Sequence, residues 1–434
     1  MNPIQVGLLG IGTVGSGTFN VLARNQPEIL RRAGRGIRIT MVADLDVERA
    51  RRIVGDQAEV VTDARQVIAN PDIDIVVELI GGYGIARTLV LEAIAAGKHV
   101  VTANKALLAV HGNEIFAAAR EKGVIVAFEA AVAGGIPIIK ALREGLTANR
   151  IEWLAGIING TTNFILSEMR AKGLDFDVVL KEAQRLGYAE ADPTFDIEGH
   201  DTAHKLSILT ALAFGTKIAA DDIYMEGISN ITQADIRAAA ELGYRIKLLG
   251  VAQKTDSGIE QRVHPTMVPT ASVIAQVHGV TNAVAIETDI LGELLLSGPG
   301  AGGNATASAV VGDIADIAKS RPGFQTAPVF GRPVKELKPY RKAKMRSHAG
   351  GYFIRLTVHD RLGVFAAIAK RMADNEISLE SIVQHADGLD ATRKTVILVT
   401  HETTEADVRK AVEGITKDGH LIDKAQVIRI ERAE

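Results

Sequence analysis

Residues 4–9, IQVGLL, form an unbroken apolar run that meets Gly10-Ile11-Gly12-Thr13-Val14-Gly15 and continues as a helix to about Arg24. No other feature narrows the fold as far. An apolar strand that turns through glycines into a helix needs a parallel strand beside it before its sheet is covered. Arg38–Ala43 supplies that strand and ends at Asp44, and the run IDIVVELI at 73–80 supplies a third. The third is apolar at nearly every position, as expected of a strand covered on both faces. Helix 86–97, strand 99–102, helix 113–122 and strand 124–128 keep the alternation going. The order implies an α/β fold built on a doubly wound parallel sheet of the Rossmann type.

The alternation fades after about residue 147. From Ile151 to about Leu296 the chain is mixed, with strand-like IEWLAGI and GIEQRVHPTMV around apolar helices, which suggests an α+β middle region. The stretch SGPGAGGNATASAVVGDIADIAK is a second glycine loop opening a helix of small residues. A segment rich in charge and proline at 331–351 then makes the clearest boundary in the chain. Beyond it, strand 352–358, helix 362–374, strands 377–385 and 393–401, helix 404–418 and strand 421–431 follow the ferredoxin-like βαββαβ order. The expected organisation is a dinucleotide-binding domain at 1–147 completed by about 300–330, a middle domain at 148–299, a linker at 331–351, and a small unit at 352–434.

Composition removes several alternatives. A net charge of −3 with no basic run, and 4% aromatic residues, give no footing for nucleic acid. No apolar stretch reaches membrane-spanning length, and no signal-peptide region precedes the first strand. There is no cysteine, so disulfides, thiolate metal sites and a thiol nucleophile are excluded, and a reducing cytoplasm is the expected compartment.

Three places carry chemistry. Gly10, Gly12 and Gly15, set between a strand and a helix, allow a tight turn and close approach of backbone to a pyrophosphate. Asp44, closing the second strand, is placed to bond the ribose hydroxyls of NAD. Arg49, Arg51 and Arg52 lie just beyond and suit either the 2′-phosphate of NADP or a solvated loop. Lys105 follows a strand, where active groups of such sheets collect, and its position suits a cofactor or substrate contact and an exposed surface lysine equally. The block LGYAEADPTFDIEGHDTAHK at 186–205 is the densest group of acids and turn residues, with Glu190, Asp192, Asp196, Glu198 and Asp201 ahead of Lys205. Asp201 and Lys205 stand four apart, on one face of an otherwise apolar helix. A lysine near a helix N-terminus in apolar surroundings has a depressed pKa, which suits it to proton transfer; a surface ion pair fits that face poorly.

The blocks GLLGIGTVG, VVELIGG, VTANKALLA, EAAVAGGIPIIK, GIINGTTNFIL, LGYAEADPTFDIEGHDTAHKL and GPGAGGNATASAVVGDI resemble the homoserine dehydrogenase family, in the family's order, over about residues 4–320. The tail from Tyr352 resembles an ACT domain, a ligand-binding module, most strongly in DRLGVFAAIAKRMADNEISLESIVQ.

The resemblance implies NAD- or NADP-dependent interconversion of L-homoserine and L-aspartate 4-semialdehyde on the route to threonine, methionine and isoleucine. Carried over by residue, Thr13, Val14, Gly187 and Gly302 would contact the cofactor, and Lys105 would lie between nicotinamide and substrate. Glu190 and Asp201 would bind the substrate, and Lys205 would be the general acid. Glu129, Val132, Gly134 and Ile136 would hold a sodium ion, mostly through main-chain carbonyls. The family further implies a homodimer through the middle domain, and the tail implies feedback inhibition by threonine. A tail of this kind is expected to be separable, so that a chain cut near residue 340 keeps activity and loses threonine sensitivity. Aspartate-semialdehyde dehydrogenase shares substrate and cofactor fold but requires a cysteine, which this chain lacks. An amino-acid sensor without catalysis would have no use for Lys205 beside Asp201.

Overall fold

The computed structural model describes residues 3–320, 330, 334–343, 345, 348–386 and 393–431. Its N-terminal part runs β1 (Ile4–Leu9), α1 (Thr13–Arg24), α2 (Gln26–Ala33), β2 (Ile37–Ala43), α3 (Val47–Val54), β3 (Glu59–Val61), α4 (Ala64–Ala69), β4 (Ile75–Glu78), α5 (Ile85–Ala95), β5 (His99–Thr102), α6 (Lys105–Lys122) and β6 (Val126–Ala127). The sheet is parallel throughout, in the order β3-β2-β1-β4-β5-β6. That is the dinucleotide-binding order, whose reversal between β1 and β4 opens a crevice at the strands' carboxyl ends. Both faces are buried: Val76 joins one hydrophobic cluster, and Ile75 and Val77 join the other.

The alternation expected from the sequence is present, with two shifts of boundary. The strand expected at 73–80 stops at Glu78, because its Oε1 accepts the N–H groups of Ile80 and Gly81 and turns the chain. The helix expected at 113–122 begins at Lys105, because the Asn104 side chain accepts the Leu107 N–H and caps it. Lys105 therefore opens a helix.

The middle region holds α7 (Ile138–Lys140), β7 (Ile151–Ile157), α8 (Gly160–Lys172), α9 (Phe176–Arg185), α10 (Thr194–Ile197), α11 (His200–Phe214), β8 (Tyr224–Met225), α12 (Gln233–Glu241), β9 (Tyr244–Thr255), β10 (Gly258–Pro269), β11 (Thr281–Thr288), β12 (Gly292–Pro299) and α13 (Gly303–Lys319). Besides the two strands read from sequence, β9, β11 and β12 complete the order β12-β11-β7-β9-β10. Helix α13 returns to the first sheet and packs on α1. A Cβ on Gly17 would stand 2.8 Å from the Gly303 carbonyl oxygen, so glycine sets how closely these helices approach.

The tail follows the expected order: β13 (Ala349–His359), α14 (Val364–Asp374), β14 (Leu379–Ala386), β15 (Arg393–Thr400), β16 (Thr403–Thr404), α15 (Glu405–Lys417) and β17 (Gln426–Ile430). Its sheet does not stand apart. β17 pairs in parallel with β10 at Thr266–Arg429 and Met267–Ile430, making one sheet, β12-β11-β7-β9-β10-β17-β13-β15-β14. The segment before the tail is also engaged, since the Ile259 N–H donates to the Arg341 carbonyl and the Tyr340 hydroxyl to the Ile259 carbonyl. Among the described residues, no helix is long and apolar enough to cross a membrane.

Candidate active site

The glycine turn has little freedom to be anything else. Gly10 sits at φ +91°, and a Cβ there would lie 2.9 Å from the Leu79 carbonyl oxygen. A Cβ on Gly15 would meet the Gly10 carbonyl oxygen at 2.2 Å. Gly12, the N-cap of α1, differs: its missing Cβ would touch nothing within 4 Å, and the same holds for Gly302, the N-cap of α13. Neither helix has a side-chain cap, so Thr13 and Val14 open a helix with unclaimed backbone donors. A Cβ on Gly303 would be 3.3 Å from the Thr13 carbonyl oxygen, so both helix N-termini flank one opening. Such a cradle fits a pyrophosphate. Asp44 lies at its edge, with Oδ2 accepting the Ile11 N–H at 2.7 Å and Oδ1 the Asp46 N–H at 2.8 Å. Arg49, Arg51 and Arg52 are exposed on α3.

At the far end of the crevice two lysines share one buried carboxylate. Lys205 Nζ donates to Asp201 Oδ2 at 2.6 Å and to the Ile158 carbonyl at 2.7 Å. Lys105, from the first turn of α6, brings its Nζ to 3.1 Å from Asp201 Oδ1, so each lysine faces one oxygen of the carboxylate. The environment separates the two ammonium groups. Burial, assisted by the Lys105 charge, pulls Lys205 below the ordinary lysine value despite Asp201. Burial also acts on Lys105, but Asp201, with Asp196 and Glu190 behind it, holds that ammonium above its ordinary value. Burial opposes the charge on Asp201, yet the two lysines keep its carboxyl well below the usual carboxylate range. Neighbouring groups driven apart in this way can divide proton donor and acceptor roles.

Two residues complete the cluster that sequence reasoning did not assign to it. Asn159 Nδ2 donates to Asp201 Oδ2 at 2.9 Å and to Asp196 Oδ1 at 2.8 Å, while its Oδ1 caps α8 through the Thr162 N–H. Burial, the Asp201 charge reinforcing it, raises Asp196 above the ordinary aspartate value. The available signals were an asparagine directly before a helix and one acid among five. Glu190 is exposed, and among the described residues no hydrogen bond joins its side chain to either lysine; it reaches Lys105 only through its charge. Gly187 is exposed at the turn after α9, with φ +76°.

Glu129, Val132, Gly134 and Ile136 fall in one buried, tightly wound loop, where Ala133 and Gly134 adopt φ of +54° and +47°. The Glu129 carboxylate accepts the Ile139 and Lys140 N–H groups, and its own N–H donates to Asp313 Oδ2 at 2.8 Å. Burial raises Glu129 and, with Glu129 beside it, pushes Asp313 up to about 8. Two buried carboxyls and the backbone of this loop gather oxygen atoms, the donor type a small hard cation takes, and a cation there would favour the charged form of carboxyls that burial pushes toward neutral.

Comparison with known proteins bears on the whole chain. A family model described as homoserine dehydrogenase matches residues 137–315, its NAD-binding domain model matches 10–129, and an ACT domain model matches 352–416. The homoserine dehydrogenase of Pseudomonas aeruginosa is 53% identical over 100% of both chains. A crystal structure of a homoserine dehydrogenase from Thiobacillus denitrificans is 54% identical, with a TM-score of 0.94, over 100% of this chain and 99% of that one. A hyperthermophilic archaeal homoserine dehydrogenase in complex with NADPH is 27% identical, with a TM-score of 0.62, over 73% of this chain and 97% of its own. The glycine cradle, the paired lysines and these matches agree, and the chain belongs to the homoserine dehydrogenase family of oxidoreductases, with an NAD-binding domain and a C-terminal ACT domain.

Proposed function

We propose that the chain interconverts L-homoserine and L-aspartate 4-semialdehyde with Lys205 as the general acid and base. The observation that carries this is the burial of Lys205 against Asp201 and the Ile158 carbonyl, with its ammonium below the ordinary value. A nicotinamide bound over the glycine loops, with Gly10, Gly12, Thr13, Val14, Gly15, Gly187 and Gly302 around it, supplies the hydride chemistry. The protein handles the proton. As a neutral amine, Lys205 takes the hydroxyl proton while homoserine is oxidised; as an ammonium, it gives a proton to the carbonyl oxygen during reduction. Lys105, held charged by Asp201, stabilises negative charge on that oxygen. The negative charge of Asp201, with exposed Glu190 nearby, suits the substrate's ammonium. Nicotinamide absorbance followed with homoserine, for the wild type and Lys205→Met, tests the assignment.

Asp44 favours NAD, and the arginines of α3 tolerate NADP. The archaeal relative in complex with NADPH supports that tolerance. A sodium ion held by Glu129, Val132, Gly134 and Ile136 would offset the paired carboxyls of that loop. The ACT unit takes threonine as a feedback effector, and the open edge of β12 suits a homodimer formed through the middle region.

A further inference from the structure

The ACT unit grips the rest of the chain through buried charges. Arg429 on β17 is 2% exposed and donates to Glu405 Oε2 at 3.0 Å and to Glu405 Oε1 at 2.6 Å on α15. Across the junction its Nη1 donates to Glu226 Oε2 at 2.9 Å, and Nη2, shared with Glu405, donates to the Tyr224 hydroxyl at 3.2 Å. Arg409 on α15 also donates to the Tyr224 hydroxyl, at 3.0 Å. Tyr224 and Glu226 belong to a short strap, residues 224–229, whose Glu226 N–H donates to the Val263 carbonyl of β10.

The other end of that strap presses on the segment that starts α11. A Cβ on Gly227 would stand 2.6 Å from the Ile197 carbonyl oxygen and 2.7 Å from the Glu198 Cα, so the two backbones are in direct contact. The Ile228 N–H donates to the Ile197 carbonyl at 2.9 Å, and the Ser229 hydroxyl bonds the Glu198 carboxylate. Next comes Gly199, the N-cap of α11 at φ +89°, and two residues later Asp201. From the other side Asn159 holds both Asp196 and Asp201. The start of α11 is thus pinned between Asn159 and a strap whose outer end is held by the ACT unit.

We propose that Arg429 and Glu226 are positioning residues for catalysis: through the 224–229 strap they set the first turn of α11, so the ACT unit holds the Asp201–Lys205 pair in its working geometry. The inference rests on the reading that this turn carries the proton chemistry, and it identifies the contact by which a change in the ACT unit reaches that turn. Contacts through packed backbone, and an ion pair anchored on the buried Arg429, are rigid enough to transmit a small displacement.

The test uses the full-length chain. Glu226→Gln keeps the shape and removes the charge that Arg429 grips. It is expected to lower kcat by about five-fold or more, the lower end of typical coupling between sites, and to shift the pH profile of kcat. KM for the dinucleotide stays unchanged. Amide hydrogen exchange in residues 200–206 rises. Arg429→Lys, which keeps the charge, recovers part of both effects relative to Arg429→Met. Arg355→Met is the control. It breaks a second contact of the ACT unit, to Asp235 at 2.6 Å in the first turn of α12, which follows the strap and makes no bond to Ile197 or Glu198 among the described residues. It should lower the melting temperature and leave kcat and the exchange of α11 alone. A folded Glu226→Gln enzyme with wild-type kcat, pH profile and exchange overturns the proposal, and so does Arg355→Met with the same loss of kcat. If Lys205→Met remained active, the proton assignment would fall, while the exchange of α11 would still report on the strap.

Discussion

Lys205 stands one helical turn beyond Asp201, with its Nζ 2.6 Å from the Asp201 Oδ2, the carboxylate buried and the lysine largely so. Asp201 sits in the first turn of the helix, where the dipole favours the carboxylate, and Lys205 follows in the second, where burial depresses its ammonium. Lys205→Met should therefore lose turnover by about 10²–10⁴-fold, the usual value of general acid–base catalysis. Dinucleotide affinity, measured by fluorescence titration, should be unchanged. Activity within a few-fold of wild type would remove Lys205 from the chemistry.

The same pair predicts the sign of the pH dependence. Oxidation of homoserine needs neutral Lys205, so kcat in that direction rises with pH, with its midpoint below that of an ordinary lysine. Asp201 favours the charged lysine, so in Asp201→Asn the residual activity should titrate at lower pH than wild type. A profile displaced toward higher pH would contradict the electrostatic reading.

Asp44 uses both oxygens on local backbone, the Ile11 and Asp46 N–H groups, but each oxygen can accept again. Asp44→Ala should raise the ratio of kcat/KM for NADP over NAD by roughly ten-fold, or ~1.4 kcal/mol. It should also cost about 1–2 kcal/mol of stability from the backbone donors left behind. Loss of stability with no change in that ratio would confine Asp44 to bracing the turn.

How much of this was readable in the sequence depended on distance along the chain. The turn at Gly10, Gly12 and Gly15 and the shared face of Asp201 and Lys205 are local patterns, set by tight backbone approach and a four-residue helical repeat. Asn159 meets Asp201 from 42 positions away and left no periodic trace. The junction of β10 with β17 pairs Thr266 with Arg429 through only two rungs, too few for any alternation to betray a partner strand. Residues 331–351 look like a separating linker in composition, but those described are laid against Thr216 and Ile259 by bridges at Lys338 and Lys342.

Lys247 gives a stability test away from the site. Buried on β9, it donates to Asn163 Oδ1 at 3.0 Å and to the Val277 carbonyl, with no carboxylate opposite. Burial, then Arg170 and Arg245, push its ammonium down to about 7 from an ordinary 10.5. Between those values the unfolded chain holds a proton that the folded chain has released. Stability should rise with pH across that window, by at most about 1.4 kcal/mol per pH unit. Urea midpoints at successive pH values should show a shallower rise for Lys247→Met. Identical slopes would rule out this source.

Removing the chain from residue 340 onward should do more than silence regulation. It uncovers the edge of β10, leaves Glu226 without Arg429, and strips buried Arg262 of its bond to Glu431. Arg262 keeps its bond to Glu260 at 2.6 Å but loses one of its charged partners, and each lost hydrogen bond to a charged group costs about 1.5–3 kcal/mol. The truncated chain is therefore expected to melt earlier and turn over more slowly, contrary to the separable tail that its composition suggests. A truncated enzyme with wild-type kcat and melting temperature would restore that picture.

Effector binding is best probed where the ACT unit turns from β13 into α14. Gly363 is the N-cap of α14, with φ +86°, and its neighbour Leu362 is fully exposed. A Cβ at Gly363 would meet nothing within 4 Å, so Gly363→Ala strains the backbone without filling space, at about 1–2 kcal/mol. Gly363→Asp adds a negative charge at a helix N-terminus, where an amino acid's carboxylate would otherwise settle. If threonine binds here and couples to the active site by about 1–3 kcal/mol, millimolar threonine inhibits the intact enzyme by a corresponding 5–150-fold effect on affinity. Gly363→Asp should then lose most of that inhibition while keeping its basal kcat, and Gly363→Ala should lose less. Equal losses would assign the effect to backbone strain. Inhibition undiminished in Gly363→Asp would place threonine away from this turn, and an intact enzyme indifferent to threonine would leave the ACT unit with the structural task of holding α11.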